Sequence, residues 1–241
     1  MVKTCQLCRL AKTRTHAVPG EGNPHAEVML IGEGPGYHED KQGRPFVGAA
    51  GQFLNELLSI AGLSRQQVFI ANVVKCRPPN NRDPLPDEIA ACAPYLERQI
   101  ELINPKVIVT LGRYSMARFF PGERISQIHG MARVVGGRLC VAMYHPAAGL
   151  HQASLADVIR ADFRKLPVYI EQARDMLSTA AHDVAQDGQA GAVTDAGPRE
   201  AAEAGTPPAP VLEAPTTARG VKKRKGGEGD NTYRQLSLFD R

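Results

Sequence analysis

The sequence predicts a three-layer α/β/α protein, in which a central, mainly parallel four-stranded sheet is covered by helices on both faces. Four short runs of apolar, largely β-branched residues support this prediction, because they lack the polar alternation of strands that have one face in water. The runs cover residues 27–32, 68–74, 106–112 and 139–144. Segments with helical periodicity separate them, and an order of strand, helix and strand is typical of a parallel sheet.

Three segments have the periodicity of amphipathic helices. Residues 49–61 place a set of apolar side chains on one helical face, namely Phe53, Leu54, Leu57, Leu58 and Ala61. Residues 86–102 repeat this pattern and begin with a proline, which suits the first turn of a helix. Residues 153–177 predict one or two closing helices, with the break at Pro167, because proline has no N–H to donate within a helix.

Composition divides the chain into a folded domain at residues 1–179, a disordered linker at 180–230 and a terminal peptide at 231–241. No aromatic residue occurs between Tyr169 and Tyr233, and such a stretch buries too little apolar surface to offset its ordering entropy. The chain has 29 Lys and Arg against 25 Asp and Glu, a modest surplus that is compatible with a polyanionic partner. No run is long and apolar enough to span a membrane.

Four of the five cysteines have the spacing of a metal site. Cys5 and Cys8 form a C-x2-C pair, and Cys76 and Cys92 follow far downstream. No apolar leader marks secretion, so a metal site is favoured over disulfides. Zinc and a 4Fe-4S cluster both accept four thiolates; structural zinc more often uses two short pairs, and we therefore favour iron-sulfur. Cys140 lies in an apolar run and is expected to be a buried thiol.

Two loops that follow predicted strands carry candidate chemistry. Residues 32–36 contain three glycines and the carboxylate of Glu33, and residues 145–149 begin with His145 before a proline. Either feature alone is more often structural, since glycine-rich turns and histidines before proline occur in many proteins. The carboxyl ends of parallel strands share one edge, however, so Glu33 and His145 are expected to converge on one cleft.

These features together resemble the family 4 uracil-DNA glycosylases. The resemblance rests on Gly-Glu-Gly-Pro-Gly at residues 32–36, on His-Pro-Ala-Ala at 145–148 and on the cysteine spacing, and it extends from about residue 5 to 167. Family 5 replaces the glutamate of the first motif, which is present here as Glu33. The chain also lacks the basic, histidine-containing insertion of a relative that becomes covalently trapped on uracil DNA, and residues 77–84 occupy that place.

The resemblance implies a uracil-DNA glycosylase fold and hydrolysis of the N-glycosidic bond of deoxyuridine in DNA, as in base excision repair. It implies Glu33 and His145 as catalytic residues, and one structural 4Fe-4S cluster bound by Cys5, Cys8, Cys76 and Cys92. It also implies a set of uracil-binding residues: Gly32, Gly34, Gly36, Glu39, Phe46, Asn72 and Asn81. No lysine lies in these motifs to act as a nucleophile, so we expect hydrolysis without strand cleavage.

Phe46, Asn72 and Asn81 receive their roles from the family pattern. Phe46 would stack on the extruded base, although without that pattern it would equally suit a core position. Asn72 would pair with the uracil edge, because one amide offers both a donor and an acceptor. A ladder-fixing asparagine would look the same in sequence. Asn81 is a candidate for support behind the pocket.

Contacts with DNA and with a protein partner are expected outside the pocket. Arg77, Arg82 and the loop at residues 144–151 are candidate phosphate contacts, and the basic run at 222–225 could add non-specific affinity. The terminal pentapeptide closely resembles the motif that bacterial proteins insert into the sliding clamp; it comprises Gln235, Leu236, Ser237, Leu238 and Phe239.

Other classes of function stay open from the residues alone. A non-catalytic iron-sulfur protein that binds uracil-containing or single-stranded DNA would need many of the same features. Electron transfer by the cluster is less favoured, because nothing in the chain suggests a redox partner. We expect a monomer, located in the cytoplasm and associated with the nucleoid.

Overall fold

The computed structural model describes residues 1–187 and contains one six-stranded mixed sheet. Its strands are β1 (Glu21–Gly22), β2 (Val28–Gly32), β3 (Phe69–Asn72), β4 (Val107–Leu111), β5 (Ala132–Val135) and β6 (Arg138–Met143). Their order across the sheet is β1, β3, β2, β4, β6, β5. The four central strands, which are those predicted from the sequence, pair in parallel. The expected α/β fold class is therefore confirmed.

The expectation of four strands was wrong at both edges of the sheet. Strand β1 pairs antiparallel with β3, and β5 pairs antiparallel with β6. Both are short and largely exposed, so they lack the apolar runs that revealed the central strands. The β5–β6 hairpin turns through Gly136 and Gly137, which both have positive φ angles of 57° and 75°. A two-residue glycine turn of this kind is a recognised hairpin signal.

The helices are α1 (Tyr37–Gln42), α2 (Ala49–Ile60), α3 (Pro86–Ile103), α4 (Arg113–Phe119), α5 (Ile125–Ile128), α6 (Pro146–His151), α7 (Ala153–Phe163) and α8 (Leu166–Asp187). The break predicted at Pro167 lies at residues 164–165, and Pro167 itself is in the first turn of α8, where a proline is tolerated. Helix α8 continues beyond residue 179. None of the helices in residues 1–187 combines the length and apolar composition that crossing a membrane requires.

Alternation along the central strands fills two apolar cores, one on each face of the sheet. In β2, Val28 and Leu30 belong to the core covered by α2, α7 and α8, whereas Met29 and Ile31 belong to the core covered by α3 and α4. Every residue of β2 and β4 is buried. Strands covered on both faces explain why their sequences read as continuous apolar runs.

The register of the parallel strands determines which loops meet. Gly32 at the end of β2 lies beside Asn72 at the end of β3, and Leu111 of β4 lies beside Met143 of β6. The peptide N–H groups of Val73 and Val74 continue this pairing by donating to the carbonyls of Gly32 and Glu33. The loops after β2, β3, β4 and β6 therefore leave one edge of the sheet, where ligands of such sheets bind.

A buried carboxylate fixes the start of α3. Glu88 is fully buried, accepts two hydrogen bonds from Arg82 at 2.7 and 2.9 Å, and caps the helix by accepting the N–H of Leu85 at 2.8 Å. The hydrogen bonds from Arg82 hold the pKa of Glu88 below its ordinary value of 4.5. The ion pair between Arg82 and Glu88 joins the segment that follows Cys76 to the first turn of α3.

Glu88→Gln should lower the free energy of unfolding by about 1.5–3 kcal/mol at neutral pH, because hydrogen bonds to a charged group contribute about that much. Urea unfolding followed by circular dichroism measures the change. Stability from a lowered carboxylate pKa is present above 4.5 and is lost as the pH falls toward the lowered value, so the difference from wild type should shrink there.

Glu101→Gln is the matched control for this prediction. Glu101 is on the same helix, but its ion pair with Arg98 is exposed. Exposed pairs of this kind contribute roughly 0–1 kcal/mol. Equal losses for the two variants would contradict the role given to Glu88.

Candidate active site

Gly32, Asn72 and Phe46 meet at the end of β2. A β-carbon placed on Gly32 would lie 2.4 Å from Oδ1 of Asn72 and 2.7 Å from the Phe46 ring, so glycine keeps this space open. Asn72 is buried, and its Oδ1 atom accepts no hydrogen bond from the described part of the chain. Leaving a buried acceptor unpaired costs about 1–3 kcal/mol, and a ligand that donates to Asn72 would recover this.

Phe46 is held in a strained conformation next to His145. Its φ angle is 51°, which is unfavourable for a bulky side chain and costs on the order of 1–3 kcal/mol. Arg65 stabilises this turn by donating to the carbonyl oxygens of Pro45 at 2.7 Å and Phe46 at 3.0 Å. The Phe46 ring stacks on the His145 imidazole, with ring centroids 5.5 Å apart and planes at 27°.

Glu39 joins two loops of the site through its carboxylate. Oε2 accepts the N–H of Gly36 at 3.1 Å, and Oε1 accepts the N–H groups of Val47 at 2.8 Å and Gly48 at 2.9 Å. The glycine-rich loop and the segment that carries Phe46 are thus fixed to each other. Glu39 is occupied by this positioning and is not a free base.

The hydrogen bonds of His145 define which ring nitrogen carries the proton. His145 caps the start of α6, and its Nδ1 atom accepts the N–H of Ala147 at 3.2 Å. The proton of the neutral ring is therefore on Nε2. Burial lowers the pKa of His145 to about 4. At neutral pH this side chain is an uncharged N–H donor.

The pKa of Glu33 is shifted in the opposite direction from that of His145, although burial favours the neutral form of both groups. Its pKa is raised to about 7: burial is the largest cause, the carboxylate of Asp83 adds to it, and the Arg113 guanidinium opposes both. Arg113 forms an ion pair with Asp83, which joins the start of α4 to the segment that follows β3. A carboxyl group whose pKa is near 7 can accept a proton at physiological pH, as a general base must.

The four cysteines of the predicted metal site line one cavity, together with Lys75 and Tyr95. Cys76 and Cys92 are buried, Cys5 and Cys8 are half-buried, and none of them forms a disulfide. Cys5, Cys76 and Cys92 each have an N–H donor close to sulfur, supplied by Leu7 at 3.5 Å, Arg14 at 3.0 Å and Lys75 at 3.2 Å respectively. Such donors stabilise thiolates.

Comparison with known proteins assigns this arrangement to a family. The model of the uracil DNA glycosylase superfamily matches residues 19–166. The chain belongs to this superfamily.

It is 52% identical over 175 residues to a type-4 uracil-DNA glycosylase of Sulfurisphaera tokodaii, covering 68% of this chain and 80% of the relative. A type-4 enzyme of Saccharolobus solfataricus is 51% identical over 175 residues, covering 68% and 81%. A type-5 enzyme of Thermus thermophilus is 38% identical over 149 residues, covering 53% and 68%. These similarities identify a type-4 member.

Two polar residues predicted from the sequence to lie near the site are engaged by other side chains. Asn81 lies in the segment after β3 and accepts a 2.6 Å hydrogen bond from Nε of Arg77. Arg82 is engaged by buried Glu88, which makes it a poor phosphate contact. The terminal peptide at residues 231–241 lies outside the described residues.

Three residues of the site were missed by sequence analysis. Gly51, in the first turn of α2, lies so close to Phe46 that a β-carbon would be 1.9 Å from the Phe46 carbonyl oxygen. Arg65 supports the same turn from the loop after α2. Gly112 has a φ angle of 88°, and a β-carbon placed on it would lie 3.1 Å from the β-carbon of His145. Gly112 follows a predicted strand, and that position was the signal that could have found it.

Gly51→Ala should displace Phe46 and impair the site. Alanine normally stabilises a helix relative to glycine, but here the new methyl group meets backbone atoms that cannot move aside as a side chain can. We expect a loss of about 1–3 kcal/mol in the free energy of unfolding and a lower rate of uracil release. Gln52→Ala, at the next and exposed position of α2, is the control and should keep both properties.

Proposed function

We propose that this chain is a monofunctional uracil-DNA glycosylase, which hydrolyses the N-glycosidic bond of deoxyuridine in DNA and leaves an abasic site. The observation that carries the proposal is the pairing of an uncharged imidazole donor, His145, with a carboxyl group of raised pKa, Glu33, in loops of one sheet edge. The type-4 relatives, which are named for this activity, support it.

Recognition of the base would depend on Phe46 and Asn72. A base inside a duplex cannot be reached, so the nucleotide must be extruded into the pocket. There the Phe46 ring would stack on it, and the Asn72 amide would read its edge. The unpaired Oδ1 atom of Asn72 is the acceptor that the N3–H group of uracil requires. Cytosine presents an acceptor at N3, and this would leave two acceptors facing each other.

Bond cleavage would use His145 and Glu33 in different ways. As the bond between C1′ and N1 breaks, its electron pair moves to uracil, and the Nε2–H group of His145 would stabilise the negative charge on a uracil oxygen. The ionised carboxylate of Glu33 would balance the positive sugar and orient a water molecule toward C1′. The water oxygen forms the new bond to C1′, and its proton passes to the carboxylate.

His145→Ala should reduce the single-turnover rate of uracil release by about 10²–10³, because an oriented donor to a developing anion contributes that much in other enzymes. His25→Ala, which removes an exposed histidine outside the site, is the control. The wild-type rate should fall as the pH drops below about 7, where Glu33 becomes protonated. Glu33→Gln should be slow and should lose this pH dependence.

One oligonucleotide assay separates this function from that of a non-catalytic binder. A DNA strand with a single uracil is incubated with the protein, treated with alkali and sized. Free uracil and an alkali-labile site support the enzyme. A shifted but uncut complex would support a binding protein instead, and strand cleavage without alkali would contradict a monofunctional mechanism.

We propose that Cys5, Cys8, Cys76 and Cys92 bind one structural 4Fe-4S cluster. The four thiols line one cavity. Four thiolates are the usual ligand set of a 4Fe-4S cluster, whereas structural zinc more often uses two short C-x2-C pairs than the one short and one long pair found here. When bound, the cluster would cross-link the N-terminal segment to the segment after β3.

Protein purified without oxygen should be brown and contain about four irons and four sulfides per chain. Cys92→Ser should lose iron, whereas Cys140→Ala should keep it, because Cys140 is buried within β6 and outside the cavity. Metal and sulfide analysis with an absorbance spectrum measures both variants. A colourless protein that contains zinc would contradict the proposal.

We further propose that the terminal peptide binds the sliding clamp and thereby brings the enzyme to replicating DNA at the nucleoid. Its support is the sequence Gln-Leu-Ser-Leu-Phe at residues 235–239, whose large apolar side chains follow a polar stretch. Deletion of residues 234–241 should abolish clamp binding, measured by surface plasmon resonance, and leave activity on short oligonucleotides intact. Loss of both would contradict a separate binding module.

A further inference from the structure

An exposed tyrosine at the rim of the active site lies close to two cations. Tyr37 is 52% exposed, although it is a large aromatic residue. Nζ of Lys41 lies 5.7 Å and Cζ of Arg77 lies 5.2 Å from the centre of its ring. These distances are within the range of cation–π contacts. Tyr37, Lys41 and Arg77 are called the Tyr37 patch below.

The chain places this patch next to the catalytic loops. Tyr37 is the first residue of α1 and directly follows Gly36, whose N–H group is bonded to Glu39. On the other side, the N–H of Val74 donates to the carbonyl of Glu33 at 3.0 Å, and a β-carbon placed on Gly34 would lie 2.7 Å from Val74 and 3.9 Å from Pro78. The segment that carries Arg77 therefore lies close to the glycine-rich loop. The patch therefore bridges the loop after β2, which contains Glu33, and the segment after β3.

Within the part of the chain whose side chains are described, both cations of the patch lack an acidic partner. Among residues 1–176, whose side chains the structure describes, neither Lys41 nor Arg77 forms an ion pair, and Arg77 binds only the amide of Asn81 through Nε. Nearby Arg82 and Arg113 are instead paired with Glu88 and Asp83. As far as the described side chains show, the patch thus offers uncompensated positive charge beside an exposed aromatic ring.

This combination is complementary to a nucleic-acid strand. Successive nucleotides present an aromatic base and a negative phosphate, and proteins bind them with an aromatic platform between cations. Tyr37 supplies the platform, and Lys41 and Arg77 supply positive charge close to it. A protein partner would equally match the ring but would need carboxylates in the same spacing, whereas DNA is the polymer that the adjacent pocket must receive.

We propose that the Tyr37 patch binds the DNA strand that flanks the target nucleotide, with Tyr37 stacked on the neighbouring base and with Lys41 and Arg77 on the flanking phosphates. The proposal rests on the proposed function, because it names the surface that grips the strand whose base enters the pocket. Stacking and phosphate contacts have different salt dependence, and this difference makes the two parts separately testable.

The test measures binding of the intact, cluster-loaded protein to a single-stranded oligonucleotide that carries 2′-fluoro-2′-deoxyuridine. The electron-withdrawing fluorine destabilises the sugar cation, so this probe binds without being hydrolysed. Fluorescence anisotropy gives the affinity at a series of salt concentrations. The variants are Tyr37→Leu, Tyr37→Phe, Lys41→Gln and Arg77→Gln. Arg98→Gln removes the same charge from the exposed face of α3 and is the matched control.

Tyr37→Leu should bind about fivefold or more weakly with an unchanged salt slope, because it keeps apolar bulk but loses the stacking face. Tyr37→Phe should bind like wild type. Lys41→Gln and Arg77→Gln should each reduce the slope of log affinity against log salt by about 0.7–1, the contribution of one phosphate contact. Arg98→Gln should leave the slope unchanged.

Wild-type affinity for Tyr37→Leu, or unchanged slopes for both charge variants, would overturn the proposal. Equal weakening by Tyr37→Phe and Tyr37→Leu would also count against it, because the hydroxyl group rather than the ring would then be responsible. The proposed function fails separately, if the wild-type protein releases no uracil from a hydrolysable oligonucleotide.

Discussion

The parallel pairing of β2 with β3 and β4 is the constraint on which the rest of the structure depends. Both faces of β2 are buried, so a shift of one residue would move every apolar side chain into the opposite core. This register sets Gly32 beside Asn72. The pocket is therefore fixed by the packing of two cores, and the loops that carry chemistry begin from a rigid edge rather than from mobile chain.

Much of the candidate site is built by close approach of backbone, at some cost in stability. Gly32 and Gly51 have no room for a β-carbon, Phe46 has a positive φ angle, and Asn72 keeps an unpaired acceptor. Each of these features would disfavour folding if it stood alone. Arg65 and the surrounding core offset the strain, and the arrangement becomes understandable when a planar base with a complementary edge is the intended ligand.

The electrostatics of the site separate two titratable groups. Burial lowers the pKa of His145 to about 4, so its ring is uncharged at any higher pH. Burial is also the main reason why the pKa of Glu33 is raised to about 7. The same physical cause thus favours the neutral form of both groups. At a pH between about 4 and 7 the histidine is an N–H donor without being a cation. The cysteine cavity is lined by Lys75 and by cysteines of the N-terminal segment, of the segment after β3 and of α3.

The sequence by itself determined the four central strands, the helical segments at 49–61, 86–102 and 153–177, the cysteine set and the family, because these depend on local periodicity and on short motifs. It did not predict the short helices α1, α4, α5 and α6. It did not reveal the edge strands, whose exposed residues carry no apolar pattern. Tertiary structure alone decided that Gly51 and Arg65 shape the Phe46 turn, and that Glu88 engages Arg82. Those contacts join residues that are distant along the chain or hidden within ordinary helices, so their geometry exists only once the sheet has brought its loops together.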